Sequence, residues 1–177
     1  MSLTQYYTAT TLDGFIADPW NSLDWLFTRA REEDGPLNYG EFIAEVGAIG
    51  MGSTTYEWIL DHGSGKWPYD VPCWVFTHRR LRVVPEATIE FVSGDVAPVH
   101  ERMVEAAGGR NVWIVGGGDL AGQFADAGLL DEVLVSIAPV TLGAGAPLLP
   151  RRVELQLVEL GRNGDFVAAR FAVARAA

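Results

Sequence analysis

VWIVGGGDLAGQF, residues Val112 to Phe124, is an apolar run that stops at three glycines and resumes as an amphipathic segment. Val112 to Val115 has the branched, apolar character of a buried strand. Gly116, Gly117 and Gly118 form the turn, and Asp119 to Ala127 reads as a helix stopped by Gly128. Gly116-Gly117-Gly118-Asp119-Leu120-Ala121 also matches G-x-G-x-x-G/A, the spacing that brings a diphosphate onto a helix start. A helix N-terminus offers unpaired N–H groups and positive partial charge, and glycines let a phosphate approach them closely. A tight turn without a ligand gives the same pattern. A Rossmann domain does not fit, because it carries the motif in its first βα turn. Here the motif starts at residue 116 of 177, and the next strand, ending at Ala138-Pro139, is followed by a hairpin.

A second junction of the same kind lies upstream. Ala48 to Met51 reads as a brief buried strand, and Met51-Gly52-Ser53-Thr54-Thr55 hands it to a helix. Thr54 with Glu57 three residues on has capping-box spacing. Two such helix starts suit one diphosphate held from both sides. A third element is the strand Cys73 to Thr77, which ends in the basic cluster His78, Arg79, Arg80 and Arg82. Open α/β sheets bind ligands at strand carboxyl ends. A solvated surface turn is the plainer reading of the cluster.

The rest of the chain reads as one α/β domain over residues 1–177. Leu3 to Thr11 is a first strand, and Pro36 to Val46 has helical spacing with Gly47 as its stop. Ile89 to Val92 and Glu132 to Ala138 are strands, and Val99 to Ala107 is a helix ended by Gly108-Gly109. His62 to Pro72 and Thr141 to Pro150 are loops. Glu154–Gly161 and Phe166–Ala174 form a closing antiparallel hairpin across Asn163-Gly164. His62 and His100 have no visible partner and are expected on the surface.

Composition narrows the function. A chain of 177 residues with 49% hydrophobic and 20% charged residues is globular, and a net charge of -10 argues against nucleic acid or an anionic membrane as partner. The lone Cys73 makes no internal disulfide, and no Cys/His spacing suits a metal. The N-terminus has no signal-peptide pattern, and no apolar run approaches the length of a membrane span. A cytoplasmic protein is expected.

The order of these motifs resembles the dihydrofolate reductase fold. More closely it resembles the reductase domain of bifunctional riboflavin-biosynthesis deaminase-reductases and its stand-alone relatives. Met51 to Ile59 is similar to that family's MGRxTxE segment, Val75 to Arg79 to its strand-plus-phosphate loop, and Val115 to Phe124 to its glycine segment. Leu12-Asp13-Gly14-Phe15-Ile16-Ala17 and Val140 to Leu148 resemble two further motifs of the riboflavin-type branch. The resemblance implies a three-layer α/β fold with a central mixed, mostly parallel sheet of seven or eight strands and a C-terminal antiparallel hairpin. It also implies an NADPH-dependent reductase. Gly52, Ser53, Thr54 and Thr55 would hold cofactor phosphates. Thr77, His78 and Arg79 would hold the 2′-phosphate, and Gly116, Gly117, Gly118, Asp119, Leu120 and Ala121 the diphosphate and ribose. Ala9 and Ile16 would meet the nicotinamide carboxamide. A homodimer follows from family habit and from an apolar chain with six Trp.

On the substrate side, Asp24 matches the carboxylate that hydrogen-bonds a pterin-like ring in folate reductases; a surface acid at a helix start is the simpler reading. Trp20 and Trp25 would stack on a planar substrate, although core packing is the commoner use of Trp. Asp13, Tyr56 and Ser136 are further candidates, with Asp13-Gly14 also a simple turn. Two departures stand out: Ala121 replaces the Tyr of many dihydrofolate reductases, and no zinc-binding deaminase segment is present in these 177 residues. The expected reaction is hydride transfer from NADPH to a C=N or C=O carbon of a small planar heterocycle. The alternative is a non-catalytic module that retains only the NADPH site.

Overall fold

In the computed structural model, which describes residues 2–174, the chain runs β1 (Thr4–Thr11), β2 (Phe15–Ala17), α1 (Asp24–Phe27), α2 (Tyr39–Ala44), β3 (Val46–Gly52) and α3 (Ser53–His62). It continues through β4 (Cys73–Phe76), β5 (Ile89–Val92), α4 (Val96–Ala107), β6 (Asn111–Gly116) and α5 (Gly118–Asp126). It closes with β7 (Glu132–Ala138), β8 (Ala146–Pro147), β9 (Leu155–Asn163) and β10 (Phe166–Val173). Eight strands form one sheet in the order β5-β4-β3-β6-β1-β7-β10-β9. The first six are parallel, and β10 and β9 close the sheet antiparallel.

Period-two alternation sorts the strand side chains into two cores. Tyr6, Trp74, Val112, Ile114, Val133 and Val135 face α4 and α5, which contribute Val99, Met103, Leu120 and Phe124. Their chain neighbours Tyr7, Cys73, Val75, Trp113 and Leu134 face the other way, with Phe42 of α2 and Tyr56 of α3. Tyr7, Phe42 and Trp113 form an aromatic cluster, with the Tyr7 and Phe42 rings stacked 4.1 Å apart. This is the expected three-layer arrangement around a mostly parallel sheet.

Local expectation and structure part at several ends. Gly47 does not stop a helix. It lies inside β3, where a Cβ would collide with the Ala107 carbonyl. A Cβ on Gly50 would lie 2.8 Å from the Met103 Cε. The last turns of α4 therefore pack directly on the β3 backbone, and the glycines serve that approach. The helix before β3 is accordingly short, capped by Asn38, whose side chain accepts from the Glu41 N–H at 2.9 Å. Helix α4 begins earlier than expected because Asp95 caps it and Pro98 sits harmlessly in its first turn. It ends at Gly108, whose φ of 60° is the left-handed stop that glycine allows.

His100 is not free on the surface. Its Nε2 lies 2.7 Å from the Thr4 hydroxyl and its ring packs edge-on against Phe124. Burial holds the imidazole below its ordinary pKa, against the pull of Asp131 and Glu101. His62 is exposed but stacks on Trp58 at 4.5 Å.

Candidate functional site

Strands β3 and β6 lie side by side, with Met51 paired to Gly116, so their carboxyl ends stop together. Each hands directly to a helix, α3 capped by Gly52 and α5 capped by Gly117, neither with a side-chain cap. Both helix starts therefore keep backbone N–H groups unclaimed by side chains. They open on one cleft of about 620 Å³. The expected capping box is absent: the helix starts at Ser53, two residues too early for Thr54 to cap it, and Glu57 pairs instead with Arg79.

The three glycines have three different reasons. A Cβ on Gly116 would come 3.0 Å from the Thr55 hydroxyl, so Thr55 seals the turn from the α3 side. A Cβ on Gly118 would collide with the carbonyls of Pro147 and Leu148, so this glycine lets the 140–150 loop close over α5. Gly117 meets nothing within 4 Å and faces the cleft. The Gly116–Gly117 peptide is cis.

A further wall of the cleft is made by two segments distant in sequence. β2 pairs antiparallel with β8, Phe15 opposite Pro147 and Ala17 near Ala146. Ile16, Ala17, Ala146 and Pro147 line the cleft from there, joined by Thr8 at the β1 end and by Tyr69, Phe76 and Trp58. Burial pushes the Tyr69 phenol far up, so it stays a neutral hydroxyl. Among the described residues Asp119, in the first turn of α5, is the sole carboxylate that lines the cleft. It accepts from Gln123 at 2.9 Å and Arg151 at 2.7 Å, and these bonds hold it below the usual carboxylate range.

Beside the main cleft is a second cavity of about 610 Å³ between α1 and α3, sharing Asn21, Leu23, Thr54 and Trp58 with the first. Trp20, Asp24, Phe27, Glu57, Asp61 and His62 also line it.

The structure gathers Ile16, Gly52, Ser53, Thr54, Thr55, Gly116, Gly117, Gly118, Asp119 and Leu120 around the main cleft. Trp20 and Asp24 stand at the second cavity, both exposed, so Asp24 is not sheltered between tryptophans. The other sequence candidates lie elsewhere. Tyr56 is fully buried and donates its hydroxyl to the Arg82 carbonyl at 2.6 Å. Trp25 packs with Ala138 and Phe166, and Ala9 rests against that cluster. Ser136 is buried on β7, and Ala121 lies on the buried face of α5, where its side chain belongs to the core. Asp13 is a brace: it accepts from the Thr11 hydroxyl at 2.6 Å and from the Leu142 and Gly143 N–H groups. Those bonds lower its pKa, the Thr11 contact most.

Thr77, His78 and Arg79 form a turn outside the cleft wall. The Thr77 hydroxyl accepts from the Arg79 N–H, and the Arg79 guanidinium holds both Glu57 carboxylate oxygens, at 2.6 and 3.3 Å. Among the described residues Arg80 makes no ion pair. Tyr69, Trp58 and Thr8 were missed from sequence: Tyr69 lies in a loop with no periodicity, and the other two have no motif to mark them.

The chain matches the sequence profile of the RibD C-terminal domain over residues 4–164. It is 33% identical to the uncharacterized protein YwjB of Bacillus subtilis (strain 168), over 95% of this chain and 96% of that protein. Among solved structures, a putative riboflavin biosynthesis protein from Shewanella sp. PV-4 superposes with a TM-score of 0.82 at 24% identity, covering 98% of this chain and 99% of the other. A diaminohydroxyphosphoribosylaminopyrimidine deaminase/5-amino-6-(5-phosphoribosylamino)uracil reductase from Thermotoga maritima superposes with a TM-score of 0.64 at 17% identity. This chain is covered to 98% there but spans only 57% of that longer protein. The fold is dihydrofolate reductase-like, and with a profile match across residues 4–164 the chain belongs to the RibD C-terminal domain family.

Proposed function

We propose that this protein is an NADPH-dependent reductase that acts on a C=N or C=O bond of a small planar heterocycle. The observation that carries this reading is the convergence of two uncapped helix starts, at Gly52 and Gly117, on one cleft at the ends of adjacent parallel strands. The residues present suit a dinucleotide. Gly117 leaves open space where a side chain would stand, and the N–H groups that open α3 and α5 are donors for a diphosphate. The Thermotoga relative is named a reductase, and membership of the family favours the same class of chemistry here.

When bound, the cofactor supplies the hydride. The chain positions and shields. Ile16, Ala17, Ala146 and Pro147 exclude water from one wall of the cleft. Tyr69 offers a neutral hydroxyl. Asp119 is held ionised by Gln123 and Arg151, which removes it as a proton donor. Asp24, exposed at the neighbouring cavity, is the remaining acid of the sequence expectation, with water as the other proton source.

The 2′-phosphate falls to the turn after β4, and there Arg79 must leave Glu57 to reach it, or Arg80 serves. A charge-assisted contact contributes about 1.5–3 kcal/mol, so Arg79→Ala weakens NADPH about tenfold to a hundredfold and leaves NADH nearly unchanged. Fluorescence titration of wild type, Arg79→Ala and Arg80→Ala with each cofactor checks this. Equal losses for both cofactors, or no loss in either variant, would make the cluster a surface turn. NADPH oxidation against pterin, folate and pyrimidine substrates separates the enzyme from a module that only binds NADPH.

A further inference from the structure

The second cavity has a chemical character of its own. Phe27 and Trp58 stack 5.9 Å apart, their planes 13° from parallel, and Trp58 continues onto His62 at 4.5 Å. Trp20 lines the same cavity with 83% of its surface exposed and Phe27 with 65%, an unusual exposure for two large aromatic groups. Trp20 is not loose. The Asp18 carboxylate accepts from the Trp20 and Ser22 N–H groups at 2.9 and 2.7 Å, and so holds the short loop that presents it. The same cavity carries Asp24, Glu57 and Asp61. Glu57 is neutralised by Arg79, whereas among the described residues Asp24 and Asp61 have no ion-pair partner. Neither the cavity nor the main cleft is lined by a single Lys or Arg.

From this juxtaposition we infer that the second cavity is a substrate subsite for a flat cationic group, such as a protonated amine borne on the heterocycle, and that it rejects phosphate- and carboxylate-bearing arms. The inference rests on the proposed reductase reading and deepens it. Aromatic faces attract cations through their ring quadrupole, and the two carboxylates without ion-pair partners, both exposed, add a screened Coulomb attraction. An anionic arm entering here meets Asp24 and Asp61, which among the described residues have no ion-pair partner, while Arg79 is already engaged by Glu57. A phosphoribosyl group of the kind in the Thermotoga enzyme's name, or the glutamate tail of a folate, is therefore excluded from this cavity. The four residues shared with the main cleft place the arm within reach of a ring bound beside the glycines.

Matched planar probes test it through the quenching of tryptophan fluorescence, without turnover. Proflavine is a three-ring cation and 9-anthracenecarboxylate a three-ring anion of similar size. Wild-type protein with NADPH present should bind proflavine about tenfold or more tighter at low salt, and the difference should shrink as salt is raised. Asp61→Asn should weaken proflavine about threefold to fivefold, about the size of one partly screened charge contact. Glu105→Gln, the same charge change at an exposed position on α4, should leave it alone, which separates the subsite from the general attraction of a chain of charge -10. Equal binding of the two probes, or equal losses in the two variants, would overturn the subsite. NADPH titration of the same samples keeps the readings apart: loss of NADPH binding in wild type would overturn the reductase reading, whereas intact NADPH binding with indifferent probes would overturn the subsite alone.

Discussion

The two sides of the cleft are built in different ways. The glycine side is made from the ends of β3 and β6 and the starts of α3 and α5, elements whose other residues form the two cores. The loop side, residues 18–38, contains one four-residue helix, and exposes Trp20 and Phe27. It is fixed by polar clamps from the far hairpin. The buried Asn163 accepts from the Glu32 N–H at 2.8 Å and donates to the Pro36 carbonyl at 3.0 Å, and the Asp165 carboxylate accepts from the Ala30 N–H at 2.7 Å. Most positions on the glycine side belong to elements that build the core, Gly117 with its open space being the exception, whereas the loop side can change its lining without touching the sheet.

The sharpest way to break the comparison is at adjacent glycines. Gly118→Ala drives a methyl into the Pro147 and Leu148 carbonyls and should cost about 1–3 kcal/mol of stability, together with NADPH binding. Gly117→Ala points into open cleft and should cost under about 1 kcal/mol of stability, while still weakening NADPH by crowding the diphosphate. Chemical denaturation and cofactor titration of both variants check the pair. Similar stability losses would mean that the two glycines do the same job.

Freeing Arg79 gives a smaller effect. Glu57→Gln removes its bidentate partner and should tighten NADPH severalfold with NADH unchanged. An unaltered NADPH/NADH ratio would assign Arg79 to α3 alone.

Asp13 tests how the loop at 140–150 is kept over α5. Its folded pKa lies below the unfolded value, so the unfolded chain binds more protons in the acid range. The stabilisation is present above the unfolded value near 3.8 and is lost as pH falls through the folded one. Asp13→Asn should lower the melting temperature at neutral pH and flatten the acid limb of its pH profile. An unchanged acid limb would mean that the bonds to Thr11, Leu142 and Gly143 contribute nothing.

How much of this was readable from the sequence follows the same division. The strand–glycine–helix junctions were legible because each is a local pattern with a local cause. The hairpin at Asn163-Gly164 was legible for the same reason, with Gly164 at a φ of 59°. What was illegible has a tertiary cause. Gly47 has the look of a helix stop, and only the passage of α4 over β3 explains it. Thr54 and Glu57 have capping spacing, yet Gly52 starts the helix and Arg79 claims the glutamate. Tyr56 and Trp25 belong to cores that the spacing of aromatic residues does not distinguish from pockets. The turn at Asp13-Gly14 is local and legible, with the Gly14 N–H on the Thr11 carbonyl, but the Leu142 and Gly143 N–H groups that Asp13 also holds lie about 130 residues downstream, and no local pattern announces them.

The hairpin offers the subtlest test. Leu155, Leu157 and Leu160 of β9 oppose Val173, Phe171 and Ala169, which face α4 and α5, but the helices stop short of β9 and leave these leucines exposed. The expected homodimer would use this open edge, since a strand can pair antiparallel with its own copy about a two-fold axis. Light scattering should report a dimer for wild type and a monomer for Leu157→Lys. A wild-type monomer at micromolar concentration would remove the dimer.

The central claim is that the two glycine junctions together hold NADPH. Calorimetric titration of wild type and Gly117→Val with NADPH and NADH tests it most directly. Wild type should bind one NADPH per chain, more tightly than NADH, and both cofactors should be weakened at least tenfold in the variant while its fold is retained. Absence of binding in wild type, or binding that Gly117→Val leaves unchanged, would contradict it.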